Sequence, residues 1–170
     1  MGIDPEIVSL LPRYVDARQS LLRAVGATNS NRDPLSELAE TVVAQLLDGV
    51  PAKNRVNKGW DLKRSDERTV EVKYVANGSG SWINGHDIRF LAGRDEHALV
   101  LIVDLVPQVL LVFDQASATR CYEGLNKRHE RHDDYRLLLT GEMLRKVWNK
   151  ELDLTTYSVE VIPLPWAVQA

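Results

Sequence analysis

Residues 98–103 read Ala-Leu-Val-Leu-Ile-Val, a run without a single polar side chain. An extended segment of that kind is stable only where both of its faces are covered, which marks it as the central strand of a sheet with layers on either side. Helical patterns on both sides of it in the chain supply those layers. Asp33-Pro34 is an N-cap followed by a first-turn proline, and Leu35, Leu38, Ala39, Val42, Val43, Leu46 and Leu47 then draw one apolar stripe until Gly49-Val50-Pro51 stops the helix. Thr140-Gly141-Glu142 opens a second helix through Met143, Leu144, Val147 and Trp148. Helix, hairpin, further strands and helix make a mixed α/β order, a small central sheet flanked by helices.

The remaining segments fit around that frame. Residues 1–26 form an accessory helix opened by Asp4-Pro5-Glu6, which Pro12 kinks or divides, and residues 26–32 are a linker rich in glycine, serine and asparagine. The catalytic body then spans 33–165, within one domain of 170 residues. Residues 109–113 pair with the central run across Pro107-Gln108, with Asp104 and Asp114 at the strand exits. Residues 116–125 suit a helix, and 157–162 an edge strand that Pro163 and Pro165 terminate.

Composition excludes several classes. A chain that is 44% hydrophobic and 26% charged is globular. No apolar run approaches the roughly 18 residues of a membrane span, and the start lacks a signal-peptide pattern, so a cytoplasmic protein is expected. The single cysteine, Cys121, rules out a disulfide framework and reads as structural. His129 and His132 lack partners spaced to complete a zinc site. A net charge of −3 is unlike that of most nucleic-acid binders, yet residues 53–73 hold seven Lys/Arg against four Asp/Glu, and 127–132 form a second basic cluster.

Polar chemistry is concentrated in residues 59–75. From Thr69 to Val75 the chain alternates, with Val70, Val72 and Tyr74 on one face and Glu71, Lys73 and Val75 on the other. Glu71 and Lys73 therefore lie roughly 7 Å apart on one face. Residues 65–68 are polar enough to turn the chain, so 60–64 pair back and bring Asp61 beside Glu71. Two carboxylates suit Mg²⁺, which completes its shell with water and phosphate, and a lysine beside them can orient the attacking water or, as the neutral amine, deprotonate it. A solvated charged hairpin is the plain alternative. On the helix at 33–47, Glu40 lies near the stripe edge and can approach the hairpin, whereas Glu37 lies nearly opposite.

Asp61, nine intervening residues, then Glu71-Val72-Lys73 resembles the signature of the PD-(D/E)xK, or restriction-endonuclease-like, nuclease superfamily, and Leu38-Ala39-Glu40 resembles the way its helices place an acid. Trp60 stands where many members carry proline. The resemblance implies a restriction-endonuclease-like core. It further implies Asp61, Glu71 and Val72 as Mg²⁺ ligands, with Mn²⁺ able to substitute, and Asp61, Glu71, Lys73 and Glu40 as catalytic residues. The expected activity is hydrolysis of duplex DNA like that of a type II restriction endonuclease. A structure-specific nuclease and a non-catalytic nucleic-acid-binding module on the same fold are the alternatives.

Residues 76–81 are expected to leave the strand as a flexible loop, and DNA contacts are expected from Ser81, from Trp82, Asn84, His86 and Arg89 after it, and from Lys127, Arg128 and Arg131. Trp82 and Phe90 suit the core equally well. A two-fold homodimer is expected, because one hairpin cuts one strand and Leu10, Leu11, Tyr14, Leu21 and Leu22 are surplus to a single core.

Overall fold

A computed structural model describes residues 5–28, 30, 32–52, 59–78, 82, 84–90, 94–125 and 136–165. The chain begins with α1 (Pro5–Ala24) and α2 (Pro34–Leu46). The strands β1 (Gly49–Pro51), β2 (Leu62–Arg64), β3 (Thr69–Asn77), β4 (His86–Arg89), β5 (Glu96–Val103) and β6 (Val106–Asp114) follow. The remainder is α3 (Gln115–Leu125), β7 (Arg136–Leu139), α4 (Gly141–Trp148), a 3-10 turn (Leu154–Tyr157) and β8 (Glu160–Pro163).

Six strands form one mixed sheet in the order β1-β2-β3-β5-β6-β8, with β3 and β5 parallel and every other pair antiparallel. The fold is thus mixed α/β, a six-stranded sheet accompanied by four helices among the described residues. β5 lies inside the sheet and all of its residues are buried, as its apolar run requires. Its alternation divides the core. Ala98, Val100 and Ile102 pack with Val70, Val72 and the Ala39, Val42 and Val43 stripe of α2, whereas Leu99 and Leu101 pack with Val75, Cys121, Leu139, Met143 and Leu144. Each large apolar side chain so buried contributes about 1.5–3 kcal/mol. Cys121 belongs to this second cluster, and burial pushes its thiol up to about 12, consistent with a structural residue.

Five local expectations need correction. α1 is not divided at Pro12, which is exposed and lies within the continuous helix. Residues 49–51 do more than stop α2, since they pair with β2 as an edge strand. β3 continues to Asn77, held by parallel pairing as far as Val103. Residues 86–89 form β4, paired antiparallel with β7, where the sequence pattern shows no strand. The β5–β6 turn falls at Asp104–Leu105; Pro107 lies within β6, beyond the reach of β8 and beside a register shift at Leu101/Ile102, a place that tolerates a missing N–H.

That two-residue turn carries φ of 49° at Asp104 and 65° at Leu105. Twisted hairpins demand positive φ there, and a leucine supplies it at a steric cost. Leu105 is 72% exposed and gives up little packing if replaced. Leu105→Gly is expected to stabilise the protein by about 1 kcal/mol, visible as a higher urea midpoint at unchanged slope.

Candidate active site between two sheets

The hairpin forms as the alternation demands. Leu62 pairs with Val70 and Lys63 with Thr69, so Asp61 follows in register opposite Glu71. Asp61 Oδ2 accepts the Val72 N–H at 2.7 Å, which fixes the carboxylate against the strand that carries Glu71 and Lys73. Glu71 and Lys73 share a face, with Lys73 Nζ 2.8 Å from Glu71 Oε1 and 3.3 Å from the Val72 carbonyl. Both line a cleft of about 630 Å³ together with His86, Asp87 and Arg89 of β4, Arg94, and His97 of β5. One wall is the main sheet and the other is the β4–β7 pair. Three cationic side chains and two carboxylates line it, a balance suited to an anionic ligand.

His97 and Arg94 join the cleft from outside β3 and are not among the expected site residues. The parallel register places His97 opposite Glu71, with Nδ1 4.0 Å from Glu71 Oε2 and Nε2 3.0 Å from His86 Nε2. Burial above all, then His86, Lys73 and Arg94, pushes His97 down to about 3, and burial also lowers His86. The pair is neutral near pH 7 and held by one N–H···N bond. Arg94 Nη1 pairs with Glu71 Oε2, and its Nε donates to the Gly59 carbonyl. A polar Glu96-His97 at the head of an otherwise apolar run is a signal for His97; nothing in the pattern around Arg94 marks it.

Glu40 does not line this cleft. It forms an ion pair with Arg32, and Arg32 Nη1 also lies 3.6 Å from Glu37 Oε1. Glu37, expected on the open face of the helix, is buried, because Ser30 donates to it from the segment after α1. Arg32 is held charged first by its bond to Glu40, with further help from the charges of Glu37 and Asp61. The two acids of α2 thus pair with an arginine that feels the charge of Asp61. Among the described residues, no three His, Cys, Asp or Glu side chains are gathered so as to chelate a metal ion.

The expected DNA-contacting set divides. His86 and Arg89 line the cleft. Trp82 packs against the core 5.4 Å from the Trp148 ring, and its carbonyl lies so close to residue 141 that only glycine fits there. Asn84 is exposed and donates to the Ala76 carbonyl at 3.2 Å. Ser81, Lys127, Arg128 and Arg131 lie outside the described residues, as do His129 and His132. The basic excess of residues 53–73 comes from Lys53, Arg55 and Lys58, which lie outside the described residues; the four cations of 59–73 are all paired. Lys63 pairs with Glu67, Arg64 with Glu96, Arg68 with Asp66 and Glu96, and Lys73 with Glu71.

No described helix is long and apolar enough to cross a membrane. Set beside protein-family models and curated proteins, the chain matches none.

Proposed function

We propose that the protein is a Mg²⁺-dependent endonuclease that hydrolyses DNA phosphodiester bonds, similar in action to a type II restriction enzyme and built on a restriction-endonuclease-like core. The observation that carries this reading is the projection of Glu71 and Lys73 from one face of β3 into a cleft, with Asp61 bonded to the main chain of Val72 between them. The donors fit the ion: Asp61, Glu71 and the Val72 carbonyl offer only oxygen, and Mg²⁺ takes one or two carboxylates and fills the rest of its shell with water and phosphate.

When bound, the ion supplies Lewis acidity at a phosphoryl oxygen and a more acidic water. Lys73 holds its ammonium beside Glu71, where it orients the attacking water and offsets charge developing on phosphate. Arg89 brings a second cation to the same cleft for the strand's phosphates, and Lys127, Arg128 and Arg131 are proposed to extend that contact along the backbone. Glu40 assists at one remove: it holds Arg32 in place, and the charge of Arg32 acts on Asp61. His86 adds a hydrogen-bonding group to the cleft.

Two copies related by a two-fold axis would cut both strands. Leu10, Tyr14 and Val15 of α1 are exposed and available to a second subunit, whereas Leu22 is buried.

A supercoiled plasmid incubated with the protein and Mg²⁺ or Mn²⁺ tests the reading. Linear product is expected, with none in EDTA. Nicked circles alone would defeat the dimer. An intact plasmid at every metal concentration would defeat the nuclease and favour a non-catalytic nucleic-acid-binding module, a reading that the pairing of Glu71 with two cations also supports.

A further inference from the structure

Glu71 is the acid the site depends on, and its carboxylate is shared by two cations. Lys73 takes Oε1 and Arg94 takes Oε2. Arg94 is held from a second direction, because Gly59, at φ +67°, presents its carbonyl to the arginine's Nε. The arginine thus ties the start of the hairpin to the metal-binding acid, with its side chain only 16% exposed. A divalent cation that reaches Glu71 meets a neutralised carboxylate and a guanidinium in the same space. Both cannot occupy Oε2. The guanidinium has five donors in a planar fork, and that fork matches two oxygens of a phosphate as well as it matches a carboxylate.

We propose that Arg94 exchanges partners: it holds Glu71 until a divalent cation competes for the carboxylate, and its guanidinium then takes a phosphate oxygen of the nucleic-acid strand in the cleft. The phosphate half rests on the nuclease reading above, whereas the competition half rests on Glu71 alone. Arg94 is thereby a substrate-binding residue that tunes metal affinity, and its removal moves two affinities in opposite directions.

The test uses the full chain, its Arg94→Ala and Arg94→Lys variants, and Mn²⁺ and a duplex oligonucleotide as probes, with thermal unfolding to show that all three are folded. Calorimetric titration should show Mn²⁺ bound roughly fivefold tighter by Arg94→Ala than by the wild type, the scale of one partly exposed ion pair. At saturating Mn²⁺ the same variant should bind the oligonucleotide roughly tenfold more weakly, the scale of one charge-assisted contact to phosphate. Arg94→Lys, which keeps the charge without the fork, should recover part of the DNA affinity.

A merely structural arginine would weaken both affinities when removed, and that result overturns the proposal. So does an Mn²⁺ affinity unchanged by Arg94→Ala, or a wild type that binds no Mn²⁺ at millimolar concentration. If the wild type binds Mn²⁺ and DNA but cuts nothing, the nuclease reading fails, while opposite shifts in the two affinities still uphold the exchange.

Discussion

Lys73→Ala should lower the rate of plasmid cleavage by about 10²–10³-fold while leaving the protein folded, the loss typical of removing one preorganised group that acts on charge developing in the transition state. The side chain is 43% exposed and reaches into the cleft, so its removal opens no cavity in either core cluster. Glu71→Gln is a less clean experiment. It leaves Lys73 and Arg94 facing each other across an uncharged amide, which costs stability as well as metal affinity. Asp61→Asn separates the two effects, because the amide oxygen can still accept the Val72 N–H while the charge is gone. Equal cleavage by wild type and Lys73→Ala, with melting temperatures matched, would remove Lys73 from the mechanism and with it the proposed site.

What was legible in the chain was what local periodicity encodes. Alternation over 69–75 placed Glu71 and Lys73 on one face of β3, and the polar turn after Arg64 set the hairpin that brings Asp61 to Val72. The run over 98–103 announced a strand covered on both sides. The other wall of the cleft was not legible. β4 is four residues long and three of them are polar, too short a pattern to show a period; it is a strand because β7 is there to pair with it. His97 reaches Glu71 only through the parallel β3–β5 register, a contact between segments far apart in sequence that no local rule predicts. Arg94 arrives from the connection before β5 for the same reason.

Charge was legible in amount but not in its pairing. Residues 59–73 hold four Lys/Arg and four Asp/Glu, and the excess over 53–73 comes from Lys53, Arg55 and Lys58, outside the described residues. In the fold, Arg64 and Arg68 converge on buried Glu96, and Lys63 closes on Glu67 across the turn. Glu37 failed for a related reason. A helical wheel treats one face as open to water, but Ser30 and Arg32 come from the neighbouring segment to cover it. Partners for buried charges are tertiary facts, and a sequence lists the charges without pairing them.

The largest stability effect is expected in acid, at His97. Its imidazole is 3% exposed, with His86 at 3.0 Å, and it faces the cations Lys73 and Arg94 as well as the carboxylate of Glu71. Burial outweighs that acid and pushes the ring down to about 3, so the folded protein keeps it neutral where the unfolded chain, near 6.5, accepts a proton. The stabilisation from a depressed base is complete above about pH 6.5 and is lost as pH falls toward 3, because the unfolded state binds the proton first. By pH 5 the loss from this one group is about 2 kcal/mol, and His86, lowered in the same direction by burial, adds to it. Urea unfolding of wild type and His97→Gln at pH 7.5 and pH 5 separates this from the titration of carboxylates common to both. Glutamine has no proton to gain in this range, so the drop in stability between the two pH values should be smaller in the variant by about 2 kcal/mol. Equal drops would show that His97 is protonated in the folded state, with Glu71 rather than burial controlling the ring.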